Sequence, residues 1–242
     1  MKSIITRLLK SEPIRKRLYP ITAPKHGRMA VRNRWDDIKY LNNIDNPTIV
    51  DAGANEGRTI DEFIERFENP NIYAFEPVPE LSSKLEEKYN DIEVYQKALG
   101  DQNMSKIFTI NKNNATSSFL EPTKYNRSQH GEAVDSKRKI KIEQTRLDDM
   151  IDNVDILKLD LQGHELAALK GSERILENID LITTETMFIE EYKNQPLFGD
   201  IDTFLRDRNF VLFNLYELST HKNGRLDQAD ALYIKQNLLE GI

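Results

Sequence analysis

Short apolar runs alternate with segments of helical periodicity along most of the chain. The runs typical of buried strands are 48–51, 72–75, 92–95, 154–159 and 181–184. The segments that carry apolar residues at helical spacing are 59–67, 80–88, 165–176 and 201–208. Strands that alternate with helices predict right-handed βαβ units and therefore a mostly parallel sheet.

Two further apolar runs, 210–215 and 231–234, lie near the end of the chain. About fifteen residues separate them, including Asn223-Gly224, and so short a link favours an antiparallel hairpin over a crossover. The whole pattern predicts an α/β fold with a mostly parallel, seven-stranded sheet and a C-terminal antiparallel hairpin. Rossmann-like methyltransferases have this arrangement.

The middle of the chain has a different pattern. Residues 106–110 and 139–143 alternate with period two, which predicts an inserted antiparallel pair of strands. Between them lies a polar stretch, 111–138, with almost no periodicity. A loop of this length inside a compact domain is usually functional or mobile, so we interpret it as a substrate lid.

Residues 1–46 are predicted to be an extension that precedes a domain at 47–242. The first 18 residues are basic and amphipathic, and the stretch 19–34 is irregular because it carries prolines and a glycine. A helix at the start of the chain would pack on the domain, or on a second subunit of a homo-oligomer. Alternatively it would rest on anionic lipid as a peripheral membrane contact. Its helix-spaced apolar residues are Ile4, Ile5, Leu8 and Leu9.

Composition narrows the class of protein. With 242 residues the chain has room for one full α/β domain, and a net charge of −6 argues against a general nucleic-acid binder. The absence of cysteine excludes disulfides and thiolate metal sites. No apolar run approaches the roughly 18 to 20 residues of a spanning helix, and the N-terminus does not resemble a secretory signal. We therefore expect a cytoplasmic protein, with contact at the inner face of a membrane as the alternative role of the first helix.

A strand end, a glycine-containing turn and a helix start coincide at 50–57. Gly53 and Gly57 allow the backbone to approach a ligand closely, and the new helix offers free N–H groups. The spacing is G-x-N-x-G, with Asn55 in the middle, whereas dinucleotide enzymes use G-x-G-x-x-G. A carboxylate at Asp51 would repel a diphosphate but suits the cationic amino-acid end of S-adenosylmethionine (SAM). The loop therefore favours SAM as the cofactor.

The second and third strands end in residues that suit an adenosine. Glu76 lies about 19 residues after the last glycine of the loop, where a carboxylate can accept hydrogen bonds from both ribose hydroxyls. Ala98 and Leu99 are placed to line the adenine. Both NAD and SAM carry an adenosine ribose, so Glu76 supports either cofactor.

The segment 158–165 ends the fourth strand, beside the first strand at the topological switch point where open α/β sheets bind ligands. Asp160 and His164 are therefore expected near the sulfonium. His164 titrates in a useful range and is the first candidate for a base acting on a hydroxyl, with Asp160 second. Alternatively, His164 only packs at a helix start. Glu185, at the end of the fifth strand, is expected to hold the acceptor; these three residues could also form a metal site, but no metal is predicted.

From about Ile49 to Ile234 the chain resembles the FkbM family of SAM-dependent methyltransferases. The resemblance rests on V-D-A-G-A-N-E-G at 50–57, F-E-P at 75–77, A-T-S-S-F-L-E-P at 115–122, T-R-L-D-D at 145–149, L-K-L-D-L-Q-G-H-E-L-A-A-L-K-G at 157–171 and A-D-A-L-Y at 229–233.

This resemblance implies O-methylation, often of sugar hydroxyls in surface glycans, glycolipids or natural products, and so a saccharide or glycolipid acceptor. By the same resemblance Pro77 belongs to the cofactor side of the site, and Ser117 and Ser118 to the acceptor side. Many relatives carry a small residue where this chain has His164, so the resemblance does not establish that residue as the base.

Two other classes of protein share the predicted topology. An NAD-dependent oxidoreductase or epimerase would carry a G-x-G-x-x-G loop and usually a Tyr-x-x-x-Lys pair, and neither occurs near the expected positions. A non-catalytic protein of the same fold would serve as a partner or scaffold. The set of Asp51, Gly53, Gly57, Glu76 and Asp160 argues against that interpretation.

Overall fold

The computed structural model of the protein describes residues 33–42 and 44–239. They fall into two compact units, of which the first ends at Asn43 and the second begins at Ile44. This boundary lies slightly before residue 47, where the sequence predicted the start of the domain. Within the described residues, no helix is long and apolar enough to cross a membrane.

The first unit contains helix α1 (Arg34–Leu41). It begins at Asn33, whose Oδ1 accepts the backbone N–H of Trp35 at 3.0 Å and so satisfies one of the free N–H groups of the first turn. The amphipathic helix predicted near the start of the chain lies outside the described residues.

The described part of the second unit contains ten strands in two sheets, and seven of them form the main sheet. The main-sheet strands are β1 (Thr48–Ala52), β2 (Asn71–Phe75), β3 (Glu93–Tyr95), β7 (Ile156–Leu159), β8 (Leu181–Met187), β9 (Phe210–Thr220) and β10 (Leu226–Lys235). Their order is β3-β2-β1-β7-β8-β10-β9. The first five are parallel, and β10 runs antiparallel to both β8 and β9. The predicted fold class, including the C-terminal hairpin, is confirmed.

The central strands are buried on both faces. Ile156 and Leu157 are neighbours on β7, so their side chains point to opposite faces of the sheet, and both are 0% exposed. Ile49 and Val50 on β1 are buried in the same way. A parallel sheet covered on both sides needs apolar residues at consecutive positions, which is why these strands are continuous apolar runs in the sequence.

Six helices of this unit are described, and most match the predicted periodicity. They are α2 (Arg58–Arg66), α3 (Pro79–Lys88), α4 (Lys124–His130), α5 (Glu165–Lys170), α6 (Phe198–Arg206) and α7 (Gln236–Leu239).

The helix predicted over 165–176 is shorter than expected, because it ends before Gly171. A Cβ at this glycine would lie 1.9 Å from the carbonyl oxygen of Gly100, so two backbones meet here and the helix stops against the neighbouring segment. The chain continues as a 3-10 turn over Ile175–Asn178. Asp148 accepts the N–H of Ile175 at 3.2 Å and holds the start of that turn.

The remaining three strands form the predicted insertion. They are β4 (Ala98–Leu99), β5 (Met104–Asn111) and β6 (Ser136–Thr145), in the order β4-β6-β5. β5 and β6 are antiparallel, with Ile107 opposite Lys141, so the expected antiparallel pair is present.

The stretch between β5 and β6 contains more secondary structure than its sequence pattern suggested. It holds a 3-10 turn (Asn114–Thr116), helix α4 and a second 3-10 turn (Gly131–Val134). Helix α4 begins at Thr123, whose Oγ1 accepts the N–H of Asn126 at 3.2 Å. The expectation of a stretch without periodic elements is corrected here, since a helix of seven residues is too short to give a clear periodic signal.

Candidate active site

A cleft opens at the carboxyl ends of β1, β2, β7 and β8. Its cavity volume is about 230 Å³, slightly below the range of about 300–1,000 Å³ that is usual for small-molecule sites. In the main sheet β1 lies between β2 and β7, and the order of the strands along the chain reverses there. The cleft therefore lies at the topological switch point of the sheet. Its lining includes Gly53, Asn55, Phe75, Glu76, Pro77, Val78, Lys97, Ala98, Leu99, Phe108, Asn114, Ala115, Ser117, Phe119, Asp160, Leu161, Gln162, His164 and Glu185.

The two glycines of the first loop act in different ways. Gly53 lines the cleft with φ +77°, and a Cβ on it would lie 2.0 Å from the carbonyl oxygen of Asp160. Gly57, with φ +81°, caps α2 and lies outside the cleft lining. A Cβ there would meet Tyr89, whose Oη lies 2.8 Å from the Gly57 carbonyl oxygen. Gly53 therefore shapes the cleft floor, and Gly57 fixes the start of the helix behind it.

Glu76 is a buried carboxylate that lines the cleft directly after β2. It is 4% exposed and accepts the N–H of Asn55 through Oε2 and the N–H of Val78 through Oε1, both at 2.9 Å. Burial is the main cause that raises the pKa of Glu76 to about 7. Pro77, Ala98 and Leu99 line the same cleft, and their role on the cofactor side stays a prediction.

Asp51 does not have the role that its charge suggested. Its side chain is 0% exposed, and Oδ1 lies 2.8 Å from Nζ of Lys158. The same ammonium donates to the carbonyl oxygen of Gly53 at 2.9 Å. Since Asp51 is absent from the cleft lining and is paired with a cation beneath the loop, the expectation that it faces the cationic end of the cofactor is corrected. The pair stabilises the loop from below.

Gln162 connects the two carboxylates on the other side of the cleft. Its Nε2 donates to Oδ1 of Asp160 and to Oε2 of Glu185, each at 2.9 Å. Gln162 has φ +50°, an uncommon conformation for a residue other than glycine. Sequence reasoning missed this residue, although its place in the D-x-Q-G segment after the fourth strand was a usable signal.

Glu185 is the buried carboxyl group on the β8 side of the cleft. It is 9% exposed, and burial, followed by the nearby carboxyl group of Asp160, holds the pKa of Glu185 well above its ordinary value. Gln228 donates to its Oε1, so both carboxylate oxygens have an N–H donor.

His164 lines the cleft but is poorly suited to accept a proton. It is 8% exposed, its ring centroid lies 4.7 Å from that of Phe119, and its Nε2 lies 3.0 Å from Oε1 of Gln144. Burial, followed by the charge of Lys106, lowers the pKa of His164 to about 4. The ring is therefore neutral at neutral pH and a weak base. This geometry favours the packing interpretation over its assignment as the first candidate base.

The two predicted acceptor-side serines have different positions. Ser117 lines the cleft, and its Oγ accepts the N–H of Asn111 at 3.1 Å. Ser118 lies outside the lining; its Oγ donates to the carbonyl oxygen of Gln162 at 2.7 Å and accepts the N–H of Leu120 at 3.0 Å. Ser118 therefore ties the inserted segment to the loop after β7 and does not face the cleft.

The described residues contain no group of three or more histidine and acidic side chains that could hold a metal ion. Asp160 and Glu185 are bridged by an amide, and Nε2 of His164 is directed to Gln144.

The strand order and the cleft at its switch point define a class, the Rossmann-like SAM-dependent methyltransferases. A sequence model described as the methyltransferase FkbM domain matches residues 51–212, and the chain belongs to this family. The resemblance noted in the sequence is thereby confirmed, and the protein is an enzyme that transfers a methyl group from SAM. The alternatives of an NAD enzyme and a non-catalytic scaffold are set aside.

Several known methyltransferases are similar to the chain. The 2-O-methyltransferase NoeI of Sinorhizobium fredii (strain NBRC 101917 / NGR234) is 24% identical over 172 residues, which cover 64% of this chain and 70% of NoeI. Methyltransferase sdnD of Sordaria araneosa is 26% identical over 195 residues, which cover 68% of this chain and 74% of sdnD. A solved structure is also similar, that of magnesium protoporphyrin IX methyltransferase (ChlM) from Synechocystis PCC 6803 with bound SAM. The similarity covers 97% of this chain and 96% of ChlM, at 11% identity and a TM-score of 0.48.

The residues at the nucleoside end of the cleft fit SAM. Each oxygen of the buried Glu76 accepts one backbone N–H, whereas a carboxylate offers about four acceptor positions, so it retains capacity for ribose hydroxyls. Ala98 and Leu99 are buried and apolar, as an adenine ring requires of its wall. Asn55 lines the same cleft, and its backbone N–H is held by Glu76.

Proposed function

We propose that the protein is an O-methyltransferase whose acceptor is a hydroxyl of a sugar, carried in a surface glycan, a glycolipid or a natural product. The observation that carries the proposal is the chemistry of the cleft beyond β7. Ser117, Gln162 and Glu185 offer hydroxyl, amide and carboxylate groups there, and Phe119 supplies an aromatic ring. Polar side chains that hydrogen-bond to hydroxyls beside an apolar ring suit a saccharide better than an apolar acceptor.

One relative supports methyl transfer to oxygen. NoeI is named as a 2-O-methyltransferase, so methyl transfer to oxygen occurs in a protein that is 24% identical to this chain.

SAM supplies a methyl group on a positively charged sulfur, which leaves readily when a nucleophile is in line. The chain has to provide position and a water-poor site. In this proposal Gly53, Asn55 and Glu76 hold the nucleoside end, while Asp160 and Glu185 border the acceptor end. The inserted segment 111–138 acts as the lid over the acceptor, because Asn114, Ala115, Ser117 and Phe119 line the cleft.

The test is transfer of labelled methyl from SAM to a panel of candidate acceptors. The panel contains free and lipid-linked oligosaccharides, matched amines and matched carboxylic acids, and the position of the label is read by mass spectrometry and NMR. We expect label on sugar hydroxyls. Label only on amines or carboxylates would overturn the proposal while leaving the methyltransferase assignment intact.

A further inference from the structure

We propose that Glu185 accepts the proton of the acceptor hydroxyl, and that Gln162 is the residue that positions it. The inference rests on the proposed function, since a sugar hydroxyl is a poor nucleophile until its proton is removed, and it names the residues that would do this work.

The order of the strands places Glu185 on the acceptor side. Glu76 follows β2, Gly53 follows β1 and Asp160 follows β7, and β8, which carries Glu185, is the next strand along the sheet. Neighbouring strands lie about 4.8 Å apart, so β8 is roughly 14 Å from the nucleoside strand and one spacing from Asp160. A ligand that extends from Glu76 past the switch point therefore has Glu185 at the end opposite the ribose.

The hydrogen bonds around Glu185 suit a carboxylate that must be both ionised and oriented. Gln162 donates to Oε2 at 2.9 Å and Gln228 donates to Oε1, so each oxygen has one amide donor. The same Nε2 of Gln162 also reaches Asp160. The positive φ of Gln162 is strained for a residue with a Cβ, and such strain persists where the surroundings determine the conformation. Ser118 supplies part of that constraint by donating to the Gln162 carbonyl oxygen.

The groups that face Glu185 from neighbouring elements are acidic or neutral. The acidic groups are Asp160, Glu165 at the start of α5, Glu191 after β8, and Asp230, which lies opposite Glu185 on β10. The neutral group is Tyr192. Burial and these carboxyl groups raise the pKa of Glu185, which makes it a stronger base than a surface carboxylate.

The proposed step is balanced in atoms and charge. The acceptor oxygen forms a bond to the methyl carbon while the bond from that carbon to sulfur breaks and leaves its electron pair on sulfur. The hydroxyl proton passes to the Glu185 carboxylate and is later released to water. No further oxidant, reductant or metal is needed.

The first test is Glu185→Gln, which keeps the shape of the side chain but removes its ability to accept a proton. On a sugar acceptor identified with labelled SAM we expect kcat to fall by about 10²- to 10⁴-fold, the usual contribution of general base catalysis. Calorimetry should give a Kd for SAM within about twofold of the wild-type value. Glu177→Gln, at an exposed position of the 3-10 turn Ile175–Asn178, is the matched control and should leave both quantities unchanged.

Two results would overturn the assignment separately from the proposed function. Hydroxyl methylation by Glu185→Gln at a rate within about threefold of wild type would remove Glu185 as the base and leave the proposed function standing. Methylation of amines alone by the wild-type enzyme would overturn both.

The second test addresses Gln162 as a positioning residue. Gln162→Asn tolerates the positive φ but is one methylene shorter, so its amide should no longer bridge both carboxylates. Loss of an N–H donor disfavours the ionised form of Glu185, so the acid limb of the kcat/KM profile should move to higher pH with little change in SAM affinity. An acid limb that stays at the wild-type pH would remove the positioning role.

A third measurement needs no acceptor. The infrared difference between wild type and Glu185→Gln, followed through a pH titration, reports the protonation of this one carboxyl group. We expect the Glu185 signal to titrate well above the range of a surface glutamate. Titration in the ordinary range would overturn the proposal.

Discussion

Gly53 lies where the end of β1 touches the backbone that follows β7. Its φ is +77°, and a Cβ would lie 2.0 Å from the carbonyl oxygen of Asp160. We therefore expect Gly53→Ala to force the two strand ends apart and to weaken SAM binding at least tenfold, with a loss of stability of roughly 1–3 kcal/mol. Calorimetry with SAM and urea unfolding would measure the two effects.

Gly199→Ala is the matched control for this substitution. Gly199 lies in the first turn of α6, where a Cβ would have no atoms within 4 Å and φ is not unusual. Alanine there should stabilise the protein by about 0.5–1 kcal/mol, since glycine is unfavourable within a helix. A similar loss of SAM affinity in both variants would contradict the steric explanation.

At the residue scale, the sequence predicted the positions of residues that local backbone structure determines. It missed the charge states of residues whose partners are distant in the chain. Gly53, Asn55 and Glu76 could be predicted because strand-end spacing alone brings them to one edge of the sheet. The role expected for Asp51 was wrong, because its partner Lys158 is on another strand and cancels its charge. His164 was likewise expected to be titratable, although its burial in the folded chain makes it neutral.

At the scale of elements, the inserted segment is held to the loop after β8 by a buried phenol. Tyr192 is 1% exposed, and its Oη donates to the carbonyl oxygen of Thr116 at 2.8 Å. Tyr192→Phe should cost about 0.5–1.5 kcal/mol for this hydrogen bond and speed amide exchange in residues 114–120 by roughly 2- to 10-fold. Hydrogen exchange with mass spectrometry would detect this, and the Kd for SAM should stay unchanged.

Tyr73→Phe provides the comparison, because the Tyr73 hydroxyl accepts from Asn71 on the surface at 3.1 Å and has no link to the insertion. Equal exchange rates in the wild type and Tyr192→Phe would show that the segment is held by other contacts.

Element lengths were less predictable than element types. Helix α4 was missed because its seven residues give too little periodicity, and α5 was predicted too long because Gly100, a distant residue, sets its end at Gly171. The mostly parallel sheet and the place of its fourth strand, β7, beside β1 followed correctly from the βαβ rhythm, since right-handed crossovers leave few alternatives.

At the scale of the whole molecule, parallel strands bring buried carboxyl groups to one edge of the sheet, and this affects stability. Glu165 is 3% exposed, and its Oε1 accepts the N–H groups of Leu161 at 2.8 Å and Gly163 at 3.2 Å. Burial raises the pKa of Glu165 to about 7, as it does for Glu76. Both groups keep their protons in the folded state at pH values where the unfolded chain has lost them.

The sign of the resulting pH dependence follows from that difference. Below the ordinary glutamate pKa of 4.5 both states are protonated, and Glu165 carries no penalty. As the pH rises from there to about 7, the unfolded state ionises first, so the free energy of unfolding falls by about 3 kcal/mol for this group.

The variant Glu165→Gln keeps the acceptor oxygen but cannot ionise, so the free energy of unfolding of this variant should decline less between pH 4.5 and about 7. Urea unfolding at several pH values, with Glu177→Gln as the control, would measure it. Because Glu76 still titrates in the variant, a residual decline is expected, and a slope equal to that of the wild type would mean that Glu165 is not the group responsible.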